Sequence, residues 1–364
     1  MMQNHSASLR RIQAILDRSI ARLGNVGGLI ALQLPNRAPI ILCSGSADLD
    51  ARTPLKPESV CMIASQSKTI IALCVLRLIR RGLLDLTQPA AQLLRTIPLD
   101  PAITVEHLLM NRSGLGEYEG IMFGPSYAGT VHLEPHELVK LAALNGVRFA
   151  PGECFDYSNI NFVLLGLVIE AVTGAPLAEA VRREILQPLG LEMWFAATEA
   201  LPRARMAGGY VRSTNSSTPR HAAELDHSAA FATGDMAADL ATMLRLWTAL
   251  LASDNPIQIS VADLTRNTTF AAPKPFHPAS LGVEYGYGVE VAYWGGERVV
   301  GHPGKIQGYR SGTWADPARG IVISLCITGI HDQTEDAAVS ALRYPAGQLY
   351  TASLGAAYAL LEEH

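Results

Sequence analysis

Residues 61–86 read CMIASQSKTIIALCVLRLIRRGLLDL, and the rest of the chain is organised around them. Ser65 and Lys68 stand three apart at the head of a long apolar helix, a spacing that puts both side chains on one face and within hydrogen-bond reach. A serine hydroxyl is a poor nucleophile until a neighbour takes its proton. Lysine can take it once burial or nearby positive charge lowers its pKa from an ordinary value of about 10.4. Met62, Ile63, Ala64, Ile70, Ile71 and Leu73 supply that buried setting, because a helix without a polar face belongs in a core. A Ser-x-x-Lys tetrad alone is a common coincidence, so its context decides its meaning.

The 364 residues are 49% hydrophobic with a net charge of −4, which allows one large domain or two interleaved ones. Basic residues run no further than the pairs Arg10-Arg11, Arg80-Arg81 and Arg182-Arg183, so no nucleic-acid partner is expected. Leu9, Ile12, Leu16, Ile20 and Leu23 recur at helical spacing but are interrupted by Arg and Asp. A secretory signal needs an unbroken apolar core of about 7–15 residues, and a membrane span needs about 18. Neither is visible, so a cytoplasmic location without membrane attachment is expected. Five cysteines (Cys43, Cys61, Cys74, Cys154, Cys326) without a C-x-x-C pattern read as reduced core residues rather than disulfides or a metal site. Cys154 lies close to a motif described below and is the one candidate for a reactive thiol. Neither a cofactor nor a metal is expected, and the oligomeric state is left open.

Two apolar runs, Gly28 to Leu34 and Pro39 to Gly45, predict a hairpin of buried strands. The Ser65 helix should end near Arg81, with Gly82 as its cap. From Asp85 to about residue 250 the pattern predicts helices: one from Thr104, one over Pro135 to Leu144, one over Asn161 to Thr173 closed by Gly174, one from Leu177, and one over Met236 to Leu251. Strands return over Gly288 to Tyr293, Arg298 to Val300, Arg310 to Trp314 and Ile321 to Ile327, and a helix over Ala346 to Glu362 closes the chain. The expected fold is therefore α/β (α+β): an antiparallel sheet flanked by helices and formed from both chain ends, with a mostly helical insertion. The expected division is residues 1–84 with 280–364 as the sheet domain and 85–279 as the helical domain, the active site lying between them.

Two further elements occur where a Ser-Lys site needs them. Tyr157-Ser158-Asn159 forms a Y-x-N, and Gly301-His302-Pro303-Gly304 contains an H-x-G between predicted strands. With this ordered set the chain resembles the serine β-lactamase and penicillin-binding-protein superfamily in its class C branch, which includes DD-peptidases, esterases and D-amino-acid amidases. Phe149-Ala150-Pro151-Gly152, Ser113-Gly114-Leu115, Pro188-Leu189-Gly190 and Tyr285-Gly286-Tyr287-Gly288 extend the resemblance over most of the chain. It implies the β-lactamase/transpeptidase-like fold, with Ser65 as a nucleophile forming an acyl-enzyme and Lys68 beside it. It also implies Tyr157 as a proton shuttle, Asn159 holding Lys68 and a substrate carbonyl, and His302 near the tetrahedral intermediate. The oxyanion hole would comprise the backbone N–H groups of Ser65 and Lys305. Whether Lys68 or Tyr157 is the base stays open at this stage.

Asn111 stands where the family often has a histidine, a change expected to affect packing more than chemistry. The H-x-G in place of K-T-G is similar to the esterases, D-aminopeptidases and D-amino-acid amidases and weakens a β-lactamase reading. Glu119, with Glu117 second, is the candidate for a substrate ammonium. Gly304 and Lys305 would line the substrate, and a pocket-facing Lys305 would favour an anionic group instead. The expected function is hydrolysis of D-amino-acid amides or short peptides through acyl-Ser65. An acyltransferase or carboxylesterase of the same superfamily is the alternative, and a non-catalytic ligand-binding relative is disfavoured by the intact motifs.

Overall fold

The hairpin expected from its apolar runs forms as Gly27–Gln33 and Ile40–Asp48, paired antiparallel and joined by a turn in which Asn36 adopts a φ of 56°. The computed structural model describes residues 7–23, 26–118, 131–212, 218–222, 226–271, 280–294, 296–331 and 345–362. Its main sheet has nine antiparallel strands. From edge to edge they are Thr53–Pro54, Ile40–Asp48, Gly27–Gln33, Ile321–Thr328, Tyr309–Asp316, Glu297–Ile306, Glu290–Trp294, Ser280–Tyr285 and Thr269–Ala271. The two chain ends meet in its centre, where Gly27–Gln33 pairs with Ile321–Thr328 along its whole length.

Alternation along the central strands buries both faces. Leu29 and Ala31 join the core on the face that carries the Ser65 segment. Ile30 and Leu32 join a second core beneath the terminal helices Ala7–Leu23 and Pro345–Glu362, through Ile12, Leu16, Leu354 and Ala357. On the first face, Leu240–Leu251 packs against the three central strands, and Asn159–Thr173 packs against Ser67–Arg80. Gly174 closes the 159–173 helix in the left-handed conformation expected of it.

Three local expectations are corrected. The stretch Met236 to Leu251 is not one helix: Met236–Asp239 is a strand between Val60–Met62 and Trp194–Phe195, and the helix begins at Leu240. Asp239 causes the break, its carboxylate accepting from Thr242 N at 2.8 Å as an N-cap. The second correction is at the edge, where Ser280–Tyr285 and Thr269–Ala271 extend the sheet beyond the strands expected. The third is that the H-x-G lies inside one ten-residue strand, Glu297–Ile306, and not between strands. Beyond Gly301 that strand pairs only with Tyr309–Asp316 among the described residues, so Pro303 can turn its missing N–H to the unpaired side.

Cys61, Cys74 and Cys326 are buried and Cys43 half-buried, but Cys154 is exposed. No single helix among the described residues is long and apolar enough to cross a membrane.

Candidate active site

The Val60–Met62 strand delivers the chain to a single tight turn, Ala64–Gln66, before the Ser67–Arg80 helix starts. Ser65 lies in this turn and is the only residue between 61 and 76 that is not buried. Ala64 pays for that presentation with a φ of 51°, a conformation few residues with a side chain adopt. Ile63 N donates to the Met236 carbonyl (2.9 Å), and Ser67 Oγ donates to the Ala64 carbonyl (2.7 Å), which hold the turn from both ends.

A polar set buried in the sheet holds it from behind. Ser311 Oγ donates to the Ile63 carbonyl (2.8 Å), Gln66 Nε2 donates to Ser311 Oγ (2.8 Å), and Thr313 Oγ1 donates to Gln66 Oε1 (2.7 Å). Because the Thr313 hydrogen is committed to Gln66, Ser324 Oγ is the donor in its 2.8 Å contact with Thr313. The signal for these residues was in the sequence, as small hydroxyl side chains at alternate inward positions of apolar strands. Their purpose was not.

Lys68 is completely buried. Its Nζ lies 3.1 Å from Ser65 Oγ, donates to the Thr233 carbonyl (2.9 Å), and sits over the rings of Tyr157 (5.1 Å) and Phe162 (5.8 Å). One N–H committed to a carbonyl orients the amine, and a hydroxyl 3.1 Å away can pass its proton there.

Asn111 organises the Y-x-N. It is fully buried with φ 54°, its carbonyl accepts from Asp156 N (3.0 Å), and its Oδ1 accepts from Ser158 N (3.2 Å) and Asn161 Nδ2 (3.0 Å). The two oxygens of Glu117 accept from Tyr118 N (2.7 Å) and Asn159 N (2.5 Å), which ties it to the start of the 159–173 helix. Gly114 explains why Ser113-Gly114-Leu115 accompanies Phe149-Ala150-Pro151-Gly152, since a Cβ there would lie 2.0 Å from the Phe149 carbonyl oxygen. Glu119 lies outside the described residues.

On the facing strand, Gly304 allows contact with the nucleophile turn. A Cβ at 304 would stand 2.2 Å from the Ile63 carbonyl oxygen and 2.5 Å from Ser311 Oγ. Lys305 follows, exposed and, by strand alternation, on the face opposite Gly304. Two residues on from Pro303, its N–H is directed to the same unpaired strand edge. His302 is buried, with Nδ1 2.6 Å from the Pro303 carbonyl and Nε2 3.1 Å from Tyr285 Oη. Its ring lies 6.0 Å from that of Tyr157, and Tyr285 stands edge-on to both. Burial pushes the Tyr285 phenol well above its ordinary value, with Tyr157 and Glu290 adding to the shift. The Ser65–Lys68 pair, Tyr157 and His302, distant from one another in sequence, are therefore brought together.

The site thus sets a serine beside a buried lysine against an antiparallel sheet flanked by helices. The sequence profile of the beta-lactamase family matches residues 15–346, and the chain belongs to that family. Its structure is similar to the D-amino acid amidase from Ochrobactrum anthropi SV3 complexed with L-phenylalanine, at 28% identity over 96% of this chain and 99% of that one, with a TM-score of 0.83. In sequence it is 31% identical to Esterase EstB of Burkholderia gladioli over 50% of each chain. It is 26% identical to a D-aminopeptidase of Brucella anthropi over 79% of this chain and 53% of the other. The chain thus spans about half the length of these two curated relatives.

Proposed function

We propose that this protein hydrolyses the amide bond of D-amino-acid amides or short peptides through an acyl-Ser65 intermediate. The observation that carries the reading is the buried Lys68 amine, 3.1 Å from Ser65 Oγ and oriented by the Thr233 carbonyl. Lys68 takes the Ser65 proton as Oγ attacks the substrate carbonyl. The negative charge on the carbonyl oxygen is met by the N–H groups of Ser65 and Lys305, the latter on the unpaired edge of its strand. Tyr157, in contact with Lys68 through its ring, relays a proton to the leaving amine, which departs as ammonia or a free amine. Water then attacks the ester and the proton returns along the same path, releasing the acid and free Ser65. Asn159 holds the substrate carbonyl, the backbone of Gly304 and Lys305 lines the acyl donor, and Glu119 receives its α-ammonium.

Likeness to a D-amino acid amidase over nearly the whole chain supports the amide and the D configuration. The match to an esterase favours simple esters as a second class of donor. The test is product release from D- and L-phenylalanine amide, with and without an added primary amine, with Ser65→Ala as the blank. Ammonia and free D-acid are expected, with turnover in Ser65→Ala lower by several orders of magnitude. A new amide formed in place of the acid would establish an acyltransferase. Turnover of activated esters alone would establish an esterase, and full activity in Ser65→Ala would overturn the acyl-enzyme.

A further inference from the structure

We propose that Tyr285 is a positioning residue that holds the His302 imidazole neutral, in its Nδ1–H form, by donating its hydroxyl hydrogen to Nε2. The argument begins at Nδ1, 2.6 Å from the Pro303 carbonyl. A carbonyl only accepts, so Nδ1 carries a hydrogen. Nε2, 3.1 Å from Tyr285 Oη, then either accepts from the phenol, leaving the ring neutral, or donates to it as an imidazolium.

Burial and the count of donors and acceptors decide between these. The backbone N–H of Ser158 can only donate, so the Asn111 atom facing it at 3.2 Å is the oxygen, and Asn161 Nδ2 donates to the same oxygen at 3.0 Å. That turns the Asn111 NH₂ group the other way. It is buried and makes no hydrogen bond among the described residues. If Nε2 donated to the phenol, the buried phenol hydrogen would have no acceptor among the described residues; with Nε2 accepting from Tyr285, ring and phenol are both satisfied. Burial keeps the phenol protonated, so a phenolate is not the alternative. An imidazolium at this place, 1% exposed, would also forfeit the hydration of its charge.

The titratable groups near His302 and its partner include Tyr157, whose ring lies 6.0 Å away, Lys68 over the Tyr157 ring, and Glu290 acting on Tyr285. If the hydrolase reading above holds, on which this consequence rests, the H-x-G position offers the substrate an uncharged ring. Donors that are neutral at this point, primary amides and esters, are then accepted. A carboxylate there gains no ion pair, unlike one meeting the lysine of a K-T-G.

The test is nitrogen NMR of the full chain labelled with ¹⁵N-histidine between pH 5 and 8, the window in which an ordinary imidazole titrates. His302→Gln assigns the signals by their loss. In the wild type, Nδ1 should stay protonated and Nε2 unprotonated across the whole range. Tyr285→Phe keeps the ring that packs on Phe155 and Tyr157 but removes the donor. His302 should then titrate inside the window, and kcat for D-phenylalanine amide should fall about 10- to 100-fold at pH 6 with KM little changed and a new acid limb. A protonated Nε2 in the wild type at pH 7, or a Tyr285→Phe protein with the wild-type spectrum and pH profile, overturns the proposal. The expected spectra without turnover of any amide would leave the tautomer established and remove the hydrolase reading instead.

Discussion

Gln66 donates through Nε2 to Ser311 Oγ at 2.8 Å, joining two residues 245 apart in the chain and tying the nucleophile turn to the centre of the sheet. The set around them is closed, with Thr313 supplying the hydrogen to Gln66 Oε1 and Ser311 supplying one to the Ile63 carbonyl. Thr313→Val leaves the buried Gln66 Oε1 without its donor and the Ser324 hydroxyl without its acceptor. A loss of about 1–3 kcal/mol is expected in urea unfolding, with a fall in kcat as the turn loosens. Wild-type stability together with wild-type kcat would show that the set is dispensable.

Lys68→Met keeps the length and apolar stem of the side chain but not the amine. The expected fall in kcat is about 10²–10⁴-fold, the usual contribution of a positioned base, measured on the ester and the amide alike. Activity within tenfold of wild type would transfer the base role to Tyr157.

Gly304→Ala places a methyl 2.2 Å from the Ile63 carbonyl oxygen, a backbone atom held by Ser311. Strand and nucleophile turn must separate, costing about 1–3 kcal/mol as an overpacked contact. Thermal unfolding should report the loss and kcat should fall with it. A variant with both unchanged would show that the 63–65 turn moves freely against the strand.

Asp235 is buried beside the Thr233–Gly234 turn that holds Lys68, with Oδ1 unpartnered among the described residues, and burial raises its carboxyl from 3.8 to about 7. The unfolded chain loses this proton near pH 4 and the folded chain near pH 7, so in between the folded state binds more protons and stability falls as pH rises. At 1.36 kcal/mol per pH unit the loss amounts to as much as ~4 kcal/mol by pH 8. Asp235→Asn should be more stable than wild type at pH 8 and should lack this slope in denaturant titrations at pH 5, 6, 7 and 8. A wild type whose stability is flat or rising over that range, after surface carboxylates have titrated, would contradict it.

The parts legible in the sequence are those that depend on neighbours in the chain. Apolar runs marked the central strands, three-residue spacing put Ser65 and Lys68 together, and Gly174 marked a helix end. The misread stretch Met236–Asp239 shows the limit, because its apolar residues suit either a helix or a buried strand. The choice came from backbone partners at Val60–Met62 and Trp194–Phe195. Asn111 was seen only as a departure from a pattern. Its task depends on Asp156, Ser158 and Asn161, which periodicity cannot bring near it.

The sequence by itself therefore determined the chemical elements of the site and the class of fold, since spacing along a helix and alternation along a strand are local geometry. Only the tertiary structure decided what surrounds each group. The Thr233 carbonyl on Lys68 and the Tyr285 hydroxyl on His302 both arise from contacts between segments far apart in the chain. Hydrogen-bond direction and burial are properties of those contacts, and they set which atoms can give or take a proton.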